Sequence, residues 1–155
     1  MSLANIRNFT LVVVLGFLLS ACATGGKKRT AEDYYTGTDT VKFLAAGVPD
    51  RVFFATNRSS LHSGAKDTLN KQAAYIKSSG ITVVVEGHAD ERGTREYNLA
   101  LGERRANAAK DYLMTYGISS DRISVLSYGK ERPVDSGSIP LAWSKNRRSV
   151  TVKAN

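Results

Sequence analysis

The chain contains few of the residues from which most enzyme and metal sites are built. Its 155 residues include one cysteine and two histidines, His62 and His88. One cysteine cannot form an internal disulfide, and a single His-x-Asp pair at residues 88–90 falls short of the usual zinc ligand set. The sequence also lacks a nucleophile elbow, a P-loop and a Gly-x-Gly-x-x-Gly motif. We therefore predict a protein that is not an enzyme, binds no metal and needs no cofactor, with His88 a turn or core residue.

The one long apolar run is too short to cross a bilayer. Residues 9–19 are almost uninterrupted in apolar character, whereas a spanning helix needs about 20 such residues. A terminal run of this length followed by small residues is typical of a secretory signal. The sequence Leu19-Ser20-Ala21-Cys22 is similar to a bacterial lipobox, in which the Cys is acylated and becomes the mature N-terminus. We therefore predict a lipoprotein signal peptide at residues 1–21 and lipidation of Cys22. Ala23, where Asp would signal inner-membrane retention, indicates the outer membrane.

Positive charge exceeds negative charge in this chain. The formal net charge is +8, a balance that often indicates nucleic acid or another anionic surface as a partner. An exported protein meets no nucleic acid, and no basic strand with interleaved aromatic residues occurs. We expect acidic partners in the cell envelope and no nucleic acid. Residues 22–40 lack an apolar period and are predicted to be a lipidated N-terminus and flexible tether, followed by one domain at residues 41–155.

The rest of the sequence alternates between strand and helix patterns. Runs rich in β-branched or aromatic residues predict strands, and apolar residues at helical spacing predict two helices. The strands are predicted at 51–54, 81–86, 122–128 and 148–153, and the helices at 61–79 and 98–116. A loop connects the last two strands through Pro140 and Trp143. This alternation predicts an α/β sandwich, in which two helices cover one face of a sheet.

The second helix carries an arginine on its apolar side. At about 100° per residue one narrow stripe is formed by Asn98, Leu101, Arg105, Ala109, Tyr112 and Tyr116. A buried guanidinium is costly unless paired, so Arg105 is expected to need a carboxylate. Asp90 is a candidate, since its loop joins the central strand to this helix. Either the two form an internal salt bridge, or they divide the charges of a zwitterionic ligand, with Arg105 binding a carboxylate and Asp90 an ammonium.

A long stretch around these two residues resembles a known family. Residues 86–106, which begin Glu86-Gly87-His88-Ala89-Asp90 and end at Ala106, resemble the signature of the OmpA-like peptidoglycan-binding domain. Residues 127–133 and 143–148 match it as well, and the resemblance covers roughly residues 52–152. It implies an α/β (α+β) sandwich whose mixed sheet of about four strands is covered by two main helices on one face. It also implies a non-covalent attachment to peptidoglycan.

The same resemblance implies a set of binding residues. Asp90 and Arg105 would hold the meso-diaminopimelate of the stem peptide, which carries carboxylate and amine groups. The other implied site residues are Thr94, Asn98, Leu101, Phe54, Ala55, Thr56, Asn57, Asn146 and Arg147. Relatives often have Phe-Asp-Phe-Asp where this chain has Phe54-Ala55-Thr56-Asn57. Two carboxylates of the family pattern are therefore absent, whereas the backbone amides that relatives turn toward the ligand are retained.

The resemblance also implies protein partners. Lipid-anchored members of the family bind the periplasmic protein TolB and, through it, the Tol complex of the inner membrane. This system draws the outer membrane inward at division and keeps the envelope intact. The expected function is to anchor the outer membrane to the cell wall. The alternative is an envelope lipoprotein that acts mainly as a protein-interaction module for TolB.

Overall fold

The structure is a computed structural model that describes residues 34–154. The predicted signal peptide, Cys22 and the tether up to residue 33 lie outside the described residues. The helices and strands, in chain order, are β1 Phe43–Ala45, β2 Val48–Pro49, β3 Arg51–Phe53, α1 Ser63–Ser79, β4 Val83–His88, α2 Arg95–Thr115, a 3-10 turn Ser120–Arg122, β5 Ile123–Gly129, α3 Pro140–Asn146 and β6 Arg148–Lys153.

Four strands form one mixed sheet. Their order is β3-β6-β4-β5. Strands β4 and β5 are parallel, and α2 connects them, as a parallel pair requires a crossover. Strand β6 lies between β3 and β4 and is antiparallel to both. The short strands β1 and β2 form a separate antiparallel pair. The predicted mixed sheet of about four strands is confirmed.

Both long helices contribute to one hydrophobic core against the sheet. Buried apolar side chains of α1, α2, β4 and β5 belong to the same cluster. Helix α1 begins after His62, whose Nδ1 accepts a hydrogen bond from the Ala65 amide at 3.3 Å. It ends at Gly80, whose φ of 71° is the left-handed conformation that glycine adopts without strain. The predicted layer of two helices on one face of the sheet is confirmed.

Helix α2 crosses strand β4 at a pair of glycines. A Cβ added to Gly87 would overlap the carbonyl oxygen of Gly102. A Cβ on Gly102 would lie 2.9 Å from the carbonyl oxygen of Gly87. The two backbones therefore approach each other more closely than side chains would allow. This contact holds the end of β4, and the loop that follows it, against the first half of α2.

The buried side of α2 differs from the predicted stripe. Leu113 is buried, whereas Tyr116 is 42% exposed. The helix ends at Thr115, so Tyr116 lies beyond its last turn. The buried residues of α2 are Asn98, Leu101, Gly102, Arg105, Ala106, Ala109 and Leu113. The predicted stripe was wrong at the C-terminal end of α2 because it was continued to Tyr116, beyond the last residue of the helix.

The structure contains a helix where the sequence predicted a loop. Helix α3 spans Pro140–Asn146, with the proline at a first-turn position where its missing N–H costs nothing. Helix α2 also begins earlier than predicted, because Thr94 caps it by accepting a hydrogen bond from the Tyr97 amide at 3.2 Å. Within residues 34–154, no helix is both long enough and apolar enough to cross a membrane.

The first described residues contact the domain. Tyr34 stacks on His62 with 3.9 Å between ring centroids, and Tyr35 contacts Phe53 edge to face at 4.9 Å. Asp39 forms an ion pair of 2.9 Å with Lys145. Within the described residues, contacts with the domain are therefore already present at Tyr34, before the predicted end of the tether at residue 40.

Candidate functional site

Arg105 lies under the site and is completely buried. Its guanidinium has an exposed fraction of 0% and donates three hydrogen bonds to backbone carbonyls. The acceptors are Arg58 at 2.9 Å, His88 at 2.8 Å and Ala55 at 3.1 Å. The expectation that Arg105 needs a carboxylate was wrong, because carbonyl oxygens of three segments satisfy it. Arg105 thereby ties the segment after β3 to the end of β4.

Asp90 is the carboxylate of the site, but its partner is not Arg105. No ion pair joins Asp90 and Arg105 in the described part of the chain. Asp90 Oδ1 accepts hydrogen bonds from the amide and the Nε of Arg92, both at 3.1 Å. Its Oδ2 lies 2.7 Å from Arg92 Nη2 and 3.4 Å from Arg147 Nη1. The internal salt bridge between Asp90 and Arg105, one of the two arrangements considered from the sequence, is therefore replaced by contacts with two other arginines.

Arg147 connects Asp90 to the first strand of the sheet. It is buried, with an exposed fraction of 2%, and its Nε donates to the carbonyl of Phe54 at 3.0 Å. The amide of Phe54 donates in turn to the carbonyl of Arg147 at 2.9 Å. This reciprocal pair extends the ladder between β3 and β6 by one residue. It holds residue 54 beside the Asp90 loop.

Arg92 lies on the solvent side of Asp90. Its side chain is 42% exposed, and its guanidinium carbon is 4.2 Å from the centre of the Trp143 ring. Its Nη2 also lies 3.4 Å from Thr56 Oγ1. Asn98, buried in the first turns of α2, donates from Nδ2 to the Arg92 carbonyl at 2.9 Å. Arg92 therefore covers Asp90 and contacts Thr56 of the segment after β3 and Trp143 of α3.

Residues 55–57 offer unused backbone amides. The hydrogen bonds of residues 34–154 include none donated by the amides of Ala55, Thr56 or Asn57. Asn57 has a φ of 54°, a left-handed conformation that Asn adopts more readily than most residues. Ala55 and Thr56 are half-buried, and Asn57 is exposed. Three amides therefore remain available to an acceptor above Arg105.

Three further predicted residues have supporting positions. Leu101 is buried in α2, and Thr94 caps that helix. Asn146 uses its side-chain amide on another loop: Oδ1 accepts from the Val134 amide at 2.8 Å, and Nδ2 donates to the Asp135 carbonyl at 2.6 Å. Its side chain thus holds the loop before α3 and is engaged away from Asp90.

Electrostatics keep the site ionised. Burial raises the pKa of Asp90, but the hydrogen bonds from Arg92 and the charges of Arg92 and Arg147 outweigh it, so the pKa lies below its usual value. Burial and the charge of Arg147 lower the pKa of Arg105 to about 10, which still leaves a cation at neutral pH. One carboxylate among three guanidinium groups gives the site an excess of positive charge, which favours an anionic ligand.

His88 is a buried neutral residue beside the site. Burial, assisted by the charges of Arg148, Arg51 and Arg132, lowers the pKa of His88 to about 3. Its ring stacks on Tyr128 at 5.5 Å, as expected for a turn or core histidine. No group of three or more His, Cys, Asp and Glu residues that could hold a metal ion occurs in the described part of the chain.

Sequence reasoning missed Arg92 altogether. It included Arg147 among the implied site residues but did not predict its contact with Asp90. An arginine two residues after an aspartate on a polar loop has no periodicity that would predict a pair. Arg147 lies next to Asp90 only because β6, which follows Arg147, pairs with β3 in the folded sheet.

Comparisons with known proteins agree with this architecture. The OmpA family model matches residues 53–147. A peptidoglycan-associated lipoprotein of Mesorhizobium japonicum is 42% identical over 153 residues, covering 94% of this chain and 91% of the relative. A peptidoglycan-associated lipoprotein of Rhizobium meliloti is 51% identical over 110 residues, covering 70% of this chain but only 62% of that relative.

Solved structures lead to the same family. The crystal structure of the peptidoglycan-associated lipoprotein from Burkholderia pseudomallei has a TM-score of 0.66 and 36% identity, and covers 68% of this chain and 90% of that one. The cell wall anchor of the T6SS from Pseudomonas aeruginosa has a TM-score of 0.57 and 26% identity, with coverage of 68% and 80%. The chain therefore belongs to the OmpA family and is similar to its peptidoglycan-associated lipoproteins.

Proposed function

We propose that this protein is an envelope lipoprotein that binds peptidoglycan non-covalently and so ties the outer membrane to the cell wall. The observation that carries the proposal is the site itself: a buried carboxylate among three guanidinium groups, next to three unused backbone amides. Such a site can take a ligand that bears both carboxylate and ammonium groups. The relatives are named peptidoglycan-associated lipoproteins, which supports peptidoglycan as the source of such a ligand. The protein acts by binding and not by catalysis.

The ligand group that fits this arrangement is the meso-diaminopimelate of the stem peptide. Asp90 binds its ammonium, since the low pKa keeps this carboxyl ionised at neutral pH. The amides of residues 55–57 bind its carboxylate, and the Arg105 charge beneath them stabilises that anion. Direct contact with Arg105 is blocked by its complete burial. Arg105 therefore acts through the carbonyls it holds and through its charge.

The remaining residues shape the pocket. Phe54 and Arg147 fix the segment that carries the amides. Asn98 holds the carbonyl of Arg92, Thr94 begins α2, and Leu101 packs beneath. The side chain of Asn146 supports the loop before α3. No carboxylate at positions 55 and 57 competes with the ligand for these amides.

In the cell we propose a role within the Tol-Pal system. The Cys22 lipid holds the chain in the outer membrane, and the domain faces the periplasm. TolB and the Tol complex are the protein partners, and the assembly supports invagination of the outer membrane at division. The exposed apolar side chains of Ile139 and Leu141 offer a surface for a protein partner beside the site. A contact without covalent bonds can release and re-form as the wall grows.

Co-sedimentation with purified diaminopimelate-type peptidoglycan tests the proposal. The lipid-free chain, residues 23–155, should pellet with the wall, and Asp90→Asn should stay in the supernatant because it removes the charge that binds the ammonium. Asp111→Asn is the matched control, since it changes the same group at an exposed position of α2 and should still pellet. Folding of each protein is checked by circular dichroism. A folded wild type that fails to pellet refutes wall binding and favours the TolB-binding module.

A further inference from the structure

We infer that Arg92 occupies, in the free protein, the place of the ligand ammonium on Asp90 and is displaced when ligand binds. The inference rests on the proposed function, since it concerns the affinity of that same site. Arg92 thus determines how tightly and how selectively the site takes a cationic group. Neither the sequence pattern nor the relatives' names point to this residue.

Arg92 and Asp90 form a two-point ion pair. Arg92 meets the carboxylate with its Nε at 3.1 Å from one oxygen and its Nη2 at 2.7 Å from the other. This two-point contact saturates the side of Asp90 that is open to solvent. Asp90 is itself only 7% exposed. An incoming ammonium cannot reach the carboxylate while Arg92 remains there.

Arg92 can leave Asp90, whereas Arg147 cannot. Arg147 is buried and also bonded to the Phe54 carbonyl, so moving it would disturb the edge of the sheet. The side chain of Arg92 is 42% exposed, and its contacts beyond Asp90 include a long hydrogen bond to Thr56 and the face of the Trp143 ring. After displacement Asp90 still keeps one buried guanidinium at 3.4 Å, so the carboxylate remains ionised.

The Arg92–Asp90 pair also makes the site selective for cationic groups. Any ligand group that replaces Arg92 must itself be a cation, because a neutral group would leave a buried carboxylate short of one partner. An exposed or half-exposed ion pair has a modest strength, so the competition lowers the affinity of the wild type by only about fivefold. This internal competitor therefore rejects neutral stem peptides while permitting reversible binding of charged ones.

The structure supplies a reporter for the displacement. Trp143 is the only tryptophan of the chain, and the Arg92 guanidinium lies on its ring. The indole Nε1 donates to Glu91 Oε1 at 2.8 Å, which fixes the ring in place. Departure of Arg92 should therefore change the fluorescence of Trp143 without a change in the rest of the domain.

The experiment is a titration with a soluble muropeptide that carries meso-diaminopimelate, followed by fluorescence and by calorimetry. Arg92→Gln should bind about fivefold more tightly than wild type, and Arg92→Lys, which keeps a cation but loses the fork, should lie between. Ligand should change Trp143 fluorescence in wild type, and free Arg92→Gln should already resemble the saturated state. Acetylation of the diaminopimelate amine should abolish binding to wild type and weaken it less for Arg92→Gln.

Arg95→Gln is the matched control. Arg95 is another arginine of this region, 68% exposed in its side chain and paired with Glu131 at 3.4 Å, so its loss changes the net charge equally. The affinity of Arg95→Gln for the muropeptide should match that of wild type or be slightly lower. Equal or weaker binding by Arg92→Gln relative to Arg95→Gln overturns the inference, as does unchanged Trp143 fluorescence at saturation. If neither wild type nor the variants bind the muropeptide, the proposed function fails and the inference fails with it. If wild type, Arg92→Gln and Arg95→Gln all bind with equal affinity, the inference alone is refuted.

Discussion

Replacing Arg105 with Met should destabilise the domain as a whole. The substitution removes the guanidinium but keeps a long side chain in the space it fills. Three carbonyl oxygens, of Ala55, Arg58 and His88, then lose their donor. Because these carbonyls belong to the segments that frame the site, the loss is expected to affect both stability and binding.

The size of the effect follows from how buried each acceptor is. The bond to the His88 carbonyl is fully buried, so leaving that oxygen without a partner costs about 2 kcal/mol. The bonds to Ala55 and Arg58 are only partly buried, and water can replace the donor, so each costs about 0.5–1 kcal/mol. The expected loss is about 3–4 kcal/mol, which most domains of this size survive.

Urea unfolding of the lipid-free protein, followed by circular dichroism, measures this loss. Arg104→Met is the control, because Arg104 is the exposed neighbour of Arg105 on α2 and its replacement should stay within about 0.5 kcal/mol of wild type. If the two variants unfold at the same urea concentration, the three carbonyl contacts contribute no stability. The account of Arg105 as the tie beneath the site would then be wrong.

Two further predictions concern β4. Gly87→Ala should lower the free energy of unfolding by about 3 kcal/mol, because its methyl group overlaps the Gly102 carbonyl. Gly64→Ala is the comparison: its methyl group would meet only the His62 ring, at 3.3 Å, at an exposed position of α1, so it should cost much less. Similar melting temperatures for the two variants would contradict the close crossing. Acidification from pH 6.5 toward 3 should destabilise wild type more than His88→Gln. The unfolded His88 binds a proton near pH 6.5 and the folded one near pH 3, so stability falls by up to about 1.4 kcal/mol per pH unit in that window, and parallel curves for the two proteins would exclude a neutral buried His88.

The fold was largely predictable from local patterns. The last strand was predicted at 148–153, the range the structure shows, and both long helices were found with errors of a few residues at their ends. Helix α3 was missed because its Pro140 lies among turn residues, and seven residues are too few for an apolar period. The β1-β2 pair was not predicted because its strands have only three and two residues, too few to show an alternating pattern.

The site was predictable as a set of residues but not as a set of contacts. Asp90 and Arg105 belong to the same site without contacting each other, because the loop after β4 leads directly into α2. The actual partners of Arg105 could not be predicted, since they are carbonyls that surround it only once β3 and β4 are in place. Arg147 is separated from Asp90 by 57 positions, so only the position of β6 next to β3 brings them together.

The position of β3 also determines how the domain bears mechanical load. Strand β3 leads directly into residues 54–57, so a pull between the N-terminal side of the domain and a ligand held there runs along this edge strand. The β3-β6 ladder is antiparallel, and the Phe54–Arg147 pair extends it. Its hydrogen bonds lie across the direction of pull, so they must break together and not one after another. An edge of three paired residues can in this way resist tension that would peel the same strand open from its end.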